Sequence, residues 1–227
     1  MNPDILRDIS IYALPIIVAI TFHEAAHGFV AWKCGDDTAY LRGRVTFNPL
    51  KHIDPFGTIV LPALLYLGGG FLFGYAKPVP VNFRRLRQFR RDMILVAAAG
   101  PGTNLLLAFT SAVLVHLTPL MPDPIGEWAF DTLDFSIYIN VVLAIFNMFP
   151  LLPLDGGRVL VGLLPPNLAR PFAQTERYGM LVLLALIFLP SLIGRQTGVD
   201  INILGWILGP ARDYVVHLIK LVTGLGG

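Results

Sequence analysis

His23 and His27 stand four residues apart, with Glu24 directly after the first, in the run FHEAAHG at residues 22–28. On a helix, positions i and i+4 share a face one turn apart, so both imidazoles can reach a single metal ion. Glu24 is rotated off that face by one position. It can meet a water at the metal without being a ligand. Two imidazole ligands and an adjacent carboxylate base suit zinc-assisted hydrolysis, where zinc brings the pKa of a water to about 7 and the carboxylate takes its proton. The plainer alternative is two core histidines beside a buried glutamate. It fits poorly inside an apolar run, where ionisable groups are costly and mark function.

A catalytic zinc takes three protein ligands and keeps one position open. No HxxGxxH extension follows His27. Glu127 falls in an acidic loop, whereas spacing alone leaves Glu176 open as the third ligand. Asp155 is the stronger candidate. It lies in NMFPLLPLDGGRV at residues 147–159, where Pro150 and Pro153 end an apolar helix and Gly156 and Gly157 free the backbone. A carboxylate there needs a cation, and a zinc on His23 and His27 would supply one. Asn147 and Asn104 are candidates for holding the substrate backbone or an oxyanion, against the ordinary role of amides in joining membrane helices. His52 reads as a surface-loop histidine rather than a ligand. Pro78 and Pro80 suggest an extended segment whose edge an unwound substrate could pair with. The single cysteine, Cys34, reads as a small apolar filler rather than a redox group.

These residues need elements that can hold them, and composition says which. The 227-residue chain is 55% hydrophobic and 14% charged, with mean hydropathy +0.65. Soluble domains carry about 25% charged residues. A lipid bilayer must therefore be part of the solvent. Apolar runs long enough to span occur at 9–32, 93–117, 135–154 and, more loosely, 178–193, with a weaker run at 201–221. The first of these carries the candidate ligands, so it reads as a retained helix rather than a removable signal. Residues 55–75 lie between two basic groups and read as a re-entrant segment bent at Gly68–Gly70. Residues 35–54 alternate polar and apolar side chains and read as a small surface β-hairpin. The expected fold class is an all-α polytopic membrane protein with about five to six membrane segments, that hairpin and that re-entrant segment. One domain covers 1–227, with a core at 9–165 and additional C-terminal helices at 178–222.

Net charge is only +2, but its distribution is uneven. Arg84, Arg85, Arg87, Arg90 and Arg91 cluster in one connection. Asp123, Glu127, Asp131 and Asp134 cluster in the next. This reads as sidedness across a bilayer rather than a nucleic-acid patch. The basic side is expected to be cytoplasmic, with the N-terminus outside and Asp155, Arg158 and Lys220 inside.

The motifs together resemble the site-2 protease family of intramembrane zinc metalloproteases, in its compact form without a PDZ domain. The resemblance rests on FHEAAH, on GRVTFNPLKHIDPFG at 43–57, on GYAKPVPVN at 74–82, on AAGPGTN at 98–104 and on NMFPLLPLDGGRV. It implies one Zn2+ per chain held by His23, His27 and Asp155, with Glu24 as general base. It implies regulated intramembrane proteolysis of a membrane protein with a transmembrane helix, already trimmed by another protease. It implies a place in the cell membrane with the site toward the cytoplasm. Without a PDZ domain, substrate gating falls to a regulatory membrane partner or to the helices. The rival from another class is a zinc transporter or sensor with the same ligands and no hydrolysis. Glu24 speaks against it, because transport has no evident use for a base beside His23.

Overall fold

The computed structural model describes residues 3–60, 76–197 and 203–226. Three long helices form its centre: α1 (Pro3–Lys33), α3 (Phe89–Val115) and α4 (Ile125–Asn147). Between them lies a single-turn helix α2 (Thr38–Leu41). After them come α5 (Asp155–Leu163), α6 (Pro166–Gln174), α7 (Glu176–Thr197) and α8 (Ile203–Val222).

The long helices alternate in direction. Arg7 near the start of α1 pairs with Asp131 of α4 at 2.8 Å, and the Trp128 indole donates to Ser10 Oγ at 2.9 Å. At the other end, Arg87 N donates to Cys34 O at 3.0 Å, just before α3 begins. The bundle thus has an acidic end, with Asp123, Glu127 and Asp131, and a basic end, with Lys33 and Arg84 to Arg91. The interior is rich in small residues, Ala19, Ala25 and Ala31 from α1, Ala97, Ala108 and Ala112 from α3, and Ala129 and Ala144 from α4, with Val96, Ile137 and Val141 filling the space between them. Large apolar side chains such as Ile17, Leu106, Phe109 and Phe130 are exposed. The small interior residues let backbones approach, while lipid covers the exposed apolar side chains.

Helix boundaries follow local chemistry. The Asp92 carboxylate accepts the Gln88 N–H at 2.8 Å and places an anion at the N-terminus of α3. Proline at 150 and 153 bars α4 from continuing, and the chain turns into α5 with Asp155 at its first position.

The helical class agrees with the expectation, but two finer features do not. Among the described residues, three helices are long and apolar enough to cross a membrane, or up to four if the bent pair 166–174 and 176–190 is one span, rather than five to six. The shortfall includes α8, whose Arg212, Asp213 and Lys220 keep it from qualifying. There is also no β-hairpin at 35–54, and no strand among the described residues. Buried Asp36 accepts from Thr38 N and the Thr38 hydroxyl, which starts α2 instead of a strand. The Asn48 side chain likewise caps a turn at Pro49–Lys51. Local side-chain bonds of this kind outcompete a ladder. Of the re-entrant segment, Pro55–Val60 is a wide helical turn, and 61–75 lies outside the described residues.

The direction of α8 also departs from expectation. Lys220 Nζ lies 2.7 Å from Asp134 Oδ1, and His116 Nε2 donates to Thr223 O at 2.6 Å. The C-terminal end of α8 therefore sits toward the acidic end of the bundle, away from Asp155. The Asp134 carboxylate offers Lys220 a partner there, which counting positive charges could not anticipate.

Candidate zinc centre

His23 and His27 lie late in α1, toward the basic end, and both are buried. The turn after α4 brings Asp155 to them. Asp155 Oδ2 lies 3.2 Å from His23 Nε2 and 3.3 Å from His27 Nε2, and the two Nε2 atoms are 3.0 Å apart. Gly156 makes that approach feasible. A Cβ there would lie 2.6 Å from Phe149 O and closer still to Met148 O, so only glycine lets the turn fold against the end of α4.

The far side of each imidazole is held by α3. His27 Nδ1 donates to Val96 O at 2.7 Å. A carbonyl can only accept, so that nitrogen carries the proton, and in the neutral imidazole Nε2 carries the lone pair. His23 Nδ1 meets Asn104 Oδ1 at 2.6 Å, and Asn104 Nδ2 donates to Ala19 O at 3.2 Å. Two imidazole lone pairs and a carboxylate oxygen thus converge within 4.8 Å of one another. Atoms of this kind repel at such separations unless a cation sits among them. The donor set, with its outer partners supplied by an amide and a carbonyl, fits zinc with an open fourth position.

Gly100 of α3 faces the two imidazole Nε2 atoms. A Cβ at this position would lie 2.5 Å from His23 Nε2 and closer still to His27 Nε2. Gly100→Ala should lower zinc affinity by about 10–100-fold, the size of effect seen when outer partners are displaced. Competition with a chromogenic chelator measures it. Wild-type affinity in that variant would show that the space is not needed.

Glu24 is partly buried, and its Oε2 accepts the Val79 N–H at 2.7 Å. Val79 belongs to an extended strap, 76–82, bonded at several other points. Lys77 N donates to His52 O, Arg44 Nη2 donates to Lys77 O at 2.7 Å, and Asn82 N donates to Asp36 Oδ2 at 2.6 Å. His23, Glu24, His27, Asp155, Asn147 and Arg158 line a cavity of about 350 Å3 under this strap. Asn147 donates back to Leu143 O at 2.9 Å. Asn104 is fully buried beside His23 rather than lining that cavity. Glu176, left open by spacing, is exposed and bonded to Arg158 at 2.6 Å. His52 is buried rather than at the surface, bonded to Thr46 O at 3.0 Å. Burial and the nearby Asp92 carboxylate push the Cys34 thiol up, in keeping with an unreactive filler.

The model of peptidase family M50 matches residues 123–190, the stretch containing Asn147 and Asp155. YwhC of Bacillus subtilis, whose name proposes a zinc metalloprotease, is 44% identical over 214 residues, covering 92% of this chain and 90% of its own. This chain belongs to peptidase family M50. Rip2 of Mycolicibacterium smegmatis, similarly named, is 31% identical over 83% of this chain and 73% of its own. Rip2 of Mycobacterium tuberculosis H37Rv is 33% identical over 81% and 68%. No solved structure matches the chain. The M50 chain is an integral membrane protein and an intramembrane zinc metalloprotease, and Zn2+ is its cofactor. Sequence reasoning singled out its His, Glu and Asp residues. It gave no role to Val79 N–H, Val96 O or Gly100, because backbone groups and missing side chains carry little signature. Asn140, a buried amide midway along an apolar helix, was given no role either.

Proposed function

We propose that His23, His27 and Asp155 hold the zinc and that Glu24 is the general base for hydrolysis of peptide bonds in or near the transmembrane segments of other membrane proteins. The observation that carries this is the convergence of three ligand atoms beside the Glu24 carboxylate, in one cavity. When bound, zinc supplies Lewis acidity to the scissile carbonyl and makes a water acidic near neutral pH. Glu24 takes the proton of the attacking water and passes it to the leaving amine. Its Oε2 is fixed by Val79, which leaves the other oxygen for that water. Asn147 lines the same cavity and is the side-chain amide placed to meet the substrate carbonyl or its oxyanion. Asn104 orients His23 from behind and is not in reach of substrate.

The substrate helix must unwind locally, since a helical peptide bond is hydrogen-bonded and shielded. The 76–82 strap has a limited edge to offer it. The N–H groups of Lys77, Val79 and Asn82 are committed within the chain, and Pro78 and Pro80 have none. Its first role is to fix Glu24. The basic end, where Asp155 and Arg158 lie, is the cytoplasmic side in a cell membrane by the positive-inside tendency.

The test uses the full chain in detergent or vesicles with a panel of model transmembrane helices. One zinc per chain and cleavage within the helices are expected, lost on chelation and restored by zinc. Cleavage that survives complete removal of zinc, or a metal-loaded chain that cuts none of the panel, would count against the reading.

A further inference from the structure

We infer that Asn140 of α4 is a positioning residue for the His23 imidazole, acting through Asn104. The inference rests on the reading that His23 holds zinc. The Ser136 carbonyl can only accept, and Asn140 Nδ2 donates to it at 2.9 Å. That bond decides which end of the Asn140 amide is which and leaves its Oδ1 to accept from Asn104 Nδ2 at 2.9 Å. The other Asn104 amide hydrogen goes to Ala19 O at 3.2 Å, another group that only accepts. Asn104 Oδ1 is then bound to face His23 Nδ1, at 2.6 Å, and that nitrogen must carry the proton. In the neutral, metal-binding imidazole the His23 lone pair is then on Nε2, the atom that faces His27 and Asp155.

Four groups on three helices thus set one imidazole tautomer. Their burial makes the order rigid. Asn104 is 0% exposed and Asn140 1% exposed, so no water can take the place of either amide. Flipping Asn140 would set its oxygen against the Ser136 carbonyl and its amide nitrogen against that of Asn104, leaving buried groups unpaired. The Ser136 hydroxyl also meets Ser111 Oγ at 2.8 Å, which ties the start of the relay back to α3. The competing explanation is that Asn140 only joins α3 to α4, as amides do in membrane bundles.

Zinc affinity separates the two. Asn140→Leu, Asn104→Leu and the double variant are prepared as the full chain in detergent. Zinc affinity is measured by chelator competition, and thermal stability is measured alongside. Asn140→Leu should lower zinc affinity by about 10-fold and Asn104→Leu by more, within the range for outer partners of a metal ligand. Adding Asn140→Leu to Asn104→Leu should cost no further affinity. If Asn140→Leu does not fold, Asn140→Ser, too short to reach Asn104, is read the same way. Unchanged affinity with a lowered melting temperature would make Asn140 a helix joint and overturn the inference. So would additive losses in the double variant. A wild-type chain that takes up no zinc would remove the underlying site reading, and this is seen before any variant is compared.

Discussion

Glu24→Gln should leave zinc bound and remove cleavage, lowering kcat by about 10²–10⁴-fold, the usual contribution of a positioned general base. The two side chains have the same shape, and the Gln amide oxygen can still accept the Val79 N–H, held now at 2.7 Å by Glu24 Oε2. The strap therefore has no reason to move. What disappears is the capacity to take a proton. Glu24 shares the cavity with the ligand cluster but is not part of it, so zinc content should match wild type. Single-turnover cleavage of a model helix, with metal analysis of the same sample, measures both quantities. Wild-type cleavage by this variant would remove Glu24 from the chemistry.

Asp155→Ala should empty the site. Its carboxylate supplies the one anionic donor among the three converging atoms, at 3.2 and 3.3 Å from the two imidazoles. Affinity should fall by more than the 10–100-fold, roughly, that a displaced outer partner costs. Glu176→Gln is the matched control, because spacing alone left Glu176 open as the third ligand. Its carboxylate is exposed and pairs with Arg158 at 2.6 Å, so this variant should retain its zinc. Metal content after dialysis decides between them. A Glu176→Gln chain that loses zinc while Asp155→Ala keeps it would reverse the assignment.

How far the sequence could be read follows from the kind of group involved. His23, Glu24 and His27 stood out as candidates because metal chemistry demands those side chains at helical spacing. Asp155 stood out because a carboxylate at the end of an apolar helix calls for a cation, and the fold brings it to the two imidazoles. The hairpin was misread because alternation over a few residues is weaker than the local side-chain bonds that Asp36 and Asn48 make to the backbone. Lys220 was assigned to the wrong end because its partner, Asp134, is 86 residues away. Asn104 was picked out as polar in an apolar helix, but only the fold tells which face it turns and what it touches.

Val96, Gly100 and Asn104 recur at four-residue steps along one side of α3. One accepts from His27, one leaves a gap at the ligand atoms, and one holds His23. The helix that donates none of the three candidate ligands is thus the jig on which they are set. Sliding or rotating it by a single residue would lose all three supports at once. Any opening that admits a substrate must therefore move other walls of the cavity while α3 stays in register with α1.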